Sequence, residues 1–376
     1  FDVSSGTIKL DGNYPVGGNN VALGDTALDS NVSGANNVAV GSASMSATTS
    51  GNFNSSVGAY SLNLNTTGSS NTAFGSGSLE NNNGSNNVAV GRSALQSNTT
   101  ADLNTALGYQ AGINATTGGI NTFVGALSAG NGVVTGTHNV GLGVETLYRL
   151  TSGVSNVSIG YQSMQFNSTG DSNVAIGREA LENNTTSSNN TAIGTNALRA
   201  YQTGGDNVVI GMNAGYTLNG NGNCTFLGRG AGFDTTGGNN TFVGYSSGAG
   251  VTSGTKNTIV GLYNGNQHSL DIRTSSNMIV LSDGDGKPHL KCFADGRWYF
   301  GLSTTGNGHI NLVGEFGSSY KAIEFQRTNG GSSVGSITTG TSSVSYNTSS
   351  DYRLKENVDY TWDATTRLKQ LKPARF

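Results

Sequence analysis

Proline, cysteine and charge are all scarce in this chain of 376 residues. It holds 3 prolines and 2 cysteines, and Asp, Glu, Lys and Arg together make up 11% of it, which is less than half the usual share. No apolar run approaches the ~18 residues that cross a bilayer, so we expect no membrane insertion. A net charge of −3 provides no basic footprint, so we expect no nucleic-acid partner. The near absence of proline also excludes collagen.

Glycine and asparagine are abundant instead, with 58 and 46 copies. Both are poor helix formers, which excludes a helical bundle. A composition rich in Gly, Ser, Thr and Asn is typical of disordered linkers. The apolar residues, however, recur at a fixed spacing, and this periodicity predicts a folded repeat protein.

The repeat is a short string of the form N-x-A-x-G, as in NVALG at 20–24 and NVAIG at 173–177. Fifteen closing glycines lie between Gly24 and Gly261, so the mean step is about 17 residues. So constant a period over this length predicts one structural unit stacked many times.

The residues within one unit predict its cross-section. Apolar residues alternate as in a strand, so Val174 and Ile176 point to one side and Ala175 to the other. We expect the large residues to form a narrow core and the small ones to form an outer face where other copies pack. Each coil is then expected to consist of two short strands and two polar turns. Stacked at ~4.8 Å per strand, fifteen coils extend for about 70 Å.

The longer motif N-x-A-I-G-x-x-A-L, found at 173–181, resembles the head repeat of trimeric autotransporter adhesins, and similar repeats occur in phage tail fibres. The resemblance covers residues 19–281. It implies a left-handed parallel β-roll that assembles as a homotrimer. The number of chains comes from the resemblance, because the spacing alone does not give it.

The predicted fold class is therefore all-β, a parallel β-roll or solenoid with ~17-residue coils. We expect a lead-in over 1–18, the repeat roll over 19–281 and a small β-rich stem over 282–349. The stem resembles the one that precedes the processing domain of many phage fibres. Charged residues become frequent over 350–376, where we expect the incomplete start of a helical chaperone domain. Within it, the run DATTRLKQLK at 363–372 favours a helix.

The string SDYRLKEN at 350–357 resembles the start of the intramolecular chaperone of phage endosialidase tailspikes and fibres. The resemblance implies that the chaperone trimerises the fibre and then cuts the Ser349–Ser350 bond. Ser350 would be the nucleophile and Lys355 its base, since a serine hydroxyl is inert until a base takes its proton. A partly desolvated lysine suits that task.

Other chemistry-bearing residues suggest little activity. Asp351 and Arg353 are expected to support the cleavage turn. Apart from this single-turnover self-cleavage we expect no enzymatic activity. Hydrolysis of a polysaccharide needs two carboxylates that flank the scissile bond, and the acidic residues of the roll form no recurring pair in the sequence. Adjacent coils could still bring two of them together. No cofactor or metal is expected. Cys224 and Cys292 are interpreted as reduced structural thiols, and the aspartates at 283 and 285 as part of a plain turn.

The leading functional hypothesis is a virion protein, the structural and receptor-binding subunit of a phage tail fibre that attaches to the host bacterial surface. Its partners would be its own copies, other virion tail proteins and a host surface glycan or protein. A bacterial trimeric adhesin and an ice-binding solenoid are the alternatives. Ice binding is disfavoured because Thr191 and Val174 exchange at one position, which we interpret as inward. The receptor-binding residues are unknown, and Tyr201 and Tyr216 are candidates by expected exposure on turns.

Overall fold

The structure, a computed structural model, describes residues 18–300 and five further strands, at Ile8–Lys9, His309–Leu312, Ser319–Gln326, Ser333–Gly340 and Val344–Thr348. The chain separates into two compact units, Phe1–Ala294 and Asp295–Phe376. The described residues form strands and turns and contain no helix.

The strands are short in the first unit and longer in the second. They are β1 (Ile8–Lys9), β2 (Val21–Leu23), β3 (Val38–Val40), β4 (Ser55–Val57), β5 (Thr72–Phe74), β6 (Val88–Val90), β7 (Thr105–Leu107), β8 (Thr122–Val124), β9 (Val140–Leu142), β10 (Val157–Ile159), β11 (Val174–Ile176), β12 (Thr191–Ile193), β13 (Val208–Ile210), β14 (Thr225–Leu227), β15 (Thr241–Val243), β16 (Thr258–Val260), β17 (Asn266–Gln267), β18 (Leu270–Asp271), β19 (Ile279–Ser282), β20 (Pro288–Cys292), β21 (Trp298–Phe300), β22 (His309–Leu312), β23 (Ser319–Gln326), β24 (Ser333–Gly340) and β25 (Val344–Thr348).

The first unit is a parallel β-solenoid. Strands β2 to β16 and then β19 pair in chain order, each parallel to the next, with equivalent residues in register. Val157 pairs with Val174, for example, and Val174 with Thr191. The prediction of a solenoid with about 15 coils of ~17 residues is confirmed. Sixteen strands at ~4.8 Å extend for about 70 Å.

Each coil contains one strand, so the prediction of two strands per coil is wrong. After the closing glycine the chain makes successive tight turns, with positive φ at the second and fourth residues, as at Glu179 (55°) and Leu181 (50°). Hydrogen bonds between coils continue through these turns, since the Leu181 N–H donates to the Ala197 carbonyl at 3.0 Å. The coils are therefore joined along their turns as well as along the sheet.

The closing glycine is required by its backbone. Gly177 has a φ of 132°, and a Cβ there would lie 2.6 Å from the carbonyl carbon of Gly194 in the next coil. Because the same contact recurs from coil to coil, a side chain at this position would push neighbouring coils apart.

The interior is the reverse of the one predicted. The middle residue of each strand faces inward and its two neighbours face outward: Ala175 is 0% exposed and Ile176 is 36% exposed. The reason is the opposite wall of the coil. At Gly141, which holds the middle position of its strand, an added Cβ would lie 3.5 Å from Cδ1 of Leu147. A large residue four positions after the closing glycine thus fills the space that remains.

In some coils the large residue that fills the interior comes from the strand and not from the facing turn. Phe226 holds the middle strand position, and glycines replace leucine at the facing positions 215 and 232. A Cβ at Gly232 would lie 2.6 Å from the Phe226 ring. The Phe226 and Phe242 rings stack at 5.0 Å between centroids. The interior therefore combines one large and one small residue in either order, which keeps its volume nearly constant.

A column of buried asparagines precedes the strands. The Asn173 N–H donates to Oδ1 of Asn156 at 3.0 Å, and Asn173 Oδ1 accepts the Asn190 N–H at 3.0 Å. Asn173 Nδ2 donates to the Ser187 carbonyl at 2.8 Å. Each side chain thus satisfies backbone groups of the adjoining coil, which explains the high asparagine content.

The C-terminal strands are antiparallel. In the first unit β20 pairs with β19, and in the second unit β21 to β25 pair in chain order. The helix predicted over 363–372 lies outside the described residues.

Candidate functional site

The outer face of the solenoid sheet is the largest candidate interaction surface. We define the outer face as the first and third residues of strands β2 to β16 and β19. Its third-position row is apolar in all sixteen strands, and consists of Leu23, Val40, Val57, Phe74, Val90, Leu107, Val124, Leu142, Ile159, Ile176, Ile193, Ile210, Leu227, Val243, Val260 and Leu281.

The outer face carries no charge within these sixteen strands, because its first-position row is composed of Val, Thr, Ser and Ile. Its side chains are half-buried to exposed in the single chain, as at Leu107 (48%). A face about 70 Å long and three residues wide covers about 700 Å². Its third-position row alone makes a continuous apolar stripe along this length, and apolar surface that is contiguous on this scale is typical of an interaction site.

The threonines of the first-position row also point outward. Thr191 and Val174 are half-buried, whereas the residues that follow them are fully buried. The interpretation that this row faces inward is therefore wrong, and the argument it supplied against ice binding fails. The neighbouring third-position row nevertheless keeps the face apolar along its whole length.

The two tyrosines proposed as receptor contacts differ. Tyr201 is 0% exposed, and its hydroxyl accepts a hydrogen bond from Asn207 Nδ2 at 2.7 Å. Burial raises the pKa of its phenol to about 12. Tyr201 is therefore a core residue and the prediction of an exposed contact is wrong. Tyr216 is half-buried, stacks on Phe233 at 5.2 Å and accepts a hydrogen bond from Arg199 Nη1 at 3.0 Å.

Two carboxylates of one coil, Glu179 and Glu182, meet at Arg199 of the next coil. Arg199 Nε lies 3.1 Å from Glu179 Oε2 and 2.5 Å from Glu182 Oε2. The hydrogen bond to Glu182, with the charge of Glu179, raises the pKa of Arg199. Both carboxylates are buried and committed to the guanidinium, so this pair does not flank an open cleft of the kind that glycoside hydrolysis uses.

The segment over 283–286 is a turn in which Asp283 Oδ1 accepts the backbone N–H groups of Asp285 and Lys287. A 2.8 Å contact between His289 Nε2 and Asp283 Oδ2 lowers the pKa of Asp283 to about 2. Cys224 and Cys292 are buried and form no disulfide, and burial raises the pKa of Cys224. Among the described residues, no three His, Cys, Asp or Glu side chains meet in a metal-binding group.

The predicted self-cleavage site lies outside the described residues. Ser350, Lys355, Asp351, Arg353 and the Ser349–Ser350 bond all fall in that part of the chain, so their roles stay predictions.

Comparison with known proteins gave no relative: no protein-family profile, no curated protein and no solved structure matches this chain. A search of the described residues for a helix able to cross a bilayer found none.

The residues that sequence reasoning missed are those of the outer face, which it had assigned to the core. A usable signal is the exchange at the middle position. Phe123, Phe226 and Phe242 replace alanine there, and a residue no larger than alanine then stands at the facing turn position. A position whose size is compensated across the coil must face inward, and its strand neighbours must face outward.

Proposed function

We propose that this chain is the structural and receptor-binding subunit of a phage tail fibre, a homotrimer that attaches to the surface of the host bacterium. The outer face is the observation that carries the proposal. An uncharged apolar face about 70 Å long favours burial against an equally long partner, and a second copy in the same register has the matching length and pattern.

The area is adequate for such an assembly. Three faces of about 700 Å² each give about 2,100 Å² for the whole trimer, which exceeds the ~1,600 Å² in total of a standard stable interface between two partners. Three chains with their outer faces turned to a common axis cover all three faces at once. The number three follows the resemblance to trimeric heads described above.

Sedimentation equilibrium of the purified chain of 376 residues tests the assembly. We expect a mass of three chains at micromolar concentration, and a monomer with an intact fold contradicts the proposal. Attachment is tested separately, by pull-down of the labelled protein with bacterial cells and by competition with phage adsorption. Protein that binds no host cell contradicts the receptor-binding role.

The resemblance of SDYRLKEN at 350–357 to the start of a phage chaperone supports the phage assignment over a bacterial adhesin, because the adhesins end in a coiled-coil stalk and a membrane barrel. We expect a longer precursor to be cut between Ser349 and Ser350, and mass spectrometry of the wild type, Ser350→Ala and Lys355→Ala measures this. Equal cutting of the Ser350→Ala variant, or an uncut wild type, rejects the assignment.

Ice binding is the second candidate, because the threonines of the first-position row point outward. The row is interrupted by valines, and the third-position row has side chains as different as Val57 and Phe74. We therefore expect no thermal hysteresis in a nanolitre osmometer. Hysteresis that Thr191→Lys abolishes would favour this candidate over the fibre.

A further inference from the structure

A groove with mainly polar lining residues crosses five coils on the side of the solenoid away from the sheet. Its volume is about 520 Å³. Apart from Gly132, its lining comes from two rows, six and eight residues after the closing glycines, which is about half a coil from the middle of each strand. The groove therefore stays open when the outer face is covered. Its lining residues are Asn131, Gly132, Arg149, Thr151, Phe166, Ser168, Asn183, Thr185 and Gln202.

One edge of the groove is a row of hydrogen-bond acceptors. The hydroxyl of Thr151 donates to the Ser168 carbonyl at 3.0 Å, that of Ser168 to the Thr185 carbonyl at 3.1 Å, and that of Thr185 to the Gln202 carbonyl at 3.3 Å. Each hydroxyl has committed its proton, so its oxygen is left to accept. The row repeats once per coil and suits a polymer that carries a hydroxyl on each unit.

The other edge holds one positive charge. The Arg149 guanidinium carbon lies 4.8 Å from the centroid of the Phe166 ring, in the next coil. A guanidinium over a ring keeps its N–H donors at its edge, where they match the two oxygens of a carboxylate. The lining contains no carboxylate. Glu182, next to the lining residue Asn183, is already bound by Arg199.

Two other arginines of the described chain lie over aromatic rings and differ in charge environment. Arg199 lies 5.9 Å from the Tyr216 ring and is held by two glutamates. Arg229 lies 5.8 Å from the Tyr245 ring, in a cavity of about 360 Å³ that also contains Asp234. Of these three arginines, Arg149 is the one that has no bound glutamate and no carboxylate in the lining of its groove.

We propose that this groove binds a segment of an acidic polysaccharide, with a uronate or sialate carboxylate on Arg149. Sugar hydroxyls donate to the row formed by Thr151, Ser168 and Thr185. The Phe166 ring holds the guanidinium flat and offers an apolar edge to the sugar. This inference rests on the proposed function, since it names the receptor class and its site. A single arginine in a chain of net charge −3 does not favour a nucleic acid, which needs many phosphate contacts.

Isothermal titration calorimetry of the full chain with acidic hexasaccharides tests the site. The probes are hexagalacturonate and α2,8-linked hexasialate, with methyl-esterified hexagalacturonate, maltohexaose, glycerol-phosphate polymer and dT12 as controls. We expect at least one acidic sugar to bind and its neutral counterparts to bind at least about tenfold more weakly, because a charge-assisted bidentate pair is lost. No binding by either acidic sugar, equal binding by the neutral ones, or binding only by the phosphate polymer or DNA overturns the proposal.

Variants locate the binding. Arg149→Gln is expected to weaken it at least about tenfold, and Arg149→Lys by less, since lysine keeps the charge without the fork. Arg229→Gln is the matched control and should change affinity less than about twofold. Both arginines are exposed, so the fold is not at risk. Unchanged affinity in Arg149→Gln overturns the site. If Arg149→Gln still binds host cells, the groove is not the receptor site, but the proposed fibre function is unaffected. If the protein binds acidic sugar but does not attach to host cells, the groove is supported and the receptor-binding function is contradicted.

Discussion

The interior of the solenoid and its outer face are built from the same three-residue strands, yet they follow different rules. Inside, the size of each residue is matched to the one across the coil: Ala175 goes with Leu181, and Phe226 with Gly232. Outside, the third-position row is large and apolar in every strand from β2 to β16 and in β19, and its side chains stay half-buried to exposed among the described residues. Matched side-chain sizes thus mark a surface that packs against another part of the same chain. A surface that packs against another molecule has no facing residue in its own chain to match, and it can be apolar along its whole length.

The largest effect is expected from emptying the interior at a Phe–Gly coil. Phe226→Ala removes a fully buried ring that faces glycines at 215 and 232. No side chain is available to fill the gap, so we expect a loss of about 4 kcal/mol in the free energy of unfolding, measured by chemical denaturation.

A second substitution should restore that loss. Phe226→Ala with Gly232→Leu rebuilds an Ala–Leu coil, and leucine is the native residue at the same positive φ in other coils, as at Leu181. We expect the double variant to regain more than half of the lost stability, while Gly232→Leu alone destabilises. Additive losses in this double-mutant cycle would show that the two positions are not matched.

The asparagine column is the polar part of the interior. Asn173→Ala leaves the buried Asn190 N–H without its acceptor and removes one of the two amide donors to the Ser187 carbonyl, which we expect to cost about 2 kcal/mol. Hydrogen exchange should accelerate in the coils on either side before the rest of the solenoid. The control is Asn183→Ala at a half-buried turn position, and equal effects of the two variants would contradict the role of the column.

Alkaline pH should reveal Tyr201 as an interior residue. Its pKa is raised by burial to about 12, against about 10 in an unfolded chain. The neutral phenol therefore stabilises the fold fully below pH 10, and this contribution of about 2 kcal/mol is lost as the pH rises from 10 to 12.

Tyr201→Phe provides the comparison. At pH 8 it should be slightly less stable than the wild type, because the hydrogen bond from Asn207 is lost. By pH 12 it should be the more stable of the two, since it has no proton to lose. If the melting temperatures of the wild type and of Tyr201→Phe change equally between pH 8 and pH 12, the phenol is exposed to water and its assignment to the interior is wrong.

The smallest effect on folding is expected from the outer face. Ile176→Asp should change the free energy of unfolding of the single chain by about 1 kcal/mol or less, because the side chain is 36% exposed. Its effect on assembly should be large, since three unpaired charges would be buried together at the proposed axis. Sedimentation velocity should find a folded monomer. Ala175→Asp, one residue away, should instead unfold its coil.

The sequence predicted the period, the solenoid and the strand at each N-x-A-x-G string, because these depend on spacing alone, but the second strand that it predicted in each coil is a series of turns. It did not reveal which side of Val174-Ala175-Ile176 is inside, since alternation is symmetric. The answer lies in the opposite wall, where Leu181 occupies the interior from a left-handed backbone that is unusual for leucine. The groove at Arg149 escaped notice for another reason: its rows become adjacent only when the coils are stacked in register.

The hydrogen bonds between coils have a mechanical consequence. They run along the axis of the solenoid, from the Asn190 N–H to Asn173 Oδ1 and from the Leu181 N–H to the Ala197 carbonyl. A force applied along that axis therefore acts on every boundary between coils. A solenoid stretched end to end should yield coil by coil at modest force. Each release frees about 17 residues and lengthens the chain by up to about 55 Å. Cys224 holds the place of an asparagine in this column, and its sulfur accepts hydrogen bonds weakly. Within the described column, the boundary between Cys224 and Asn240 is therefore a weak one, and a solenoid pulled at both ends should gain slack there early.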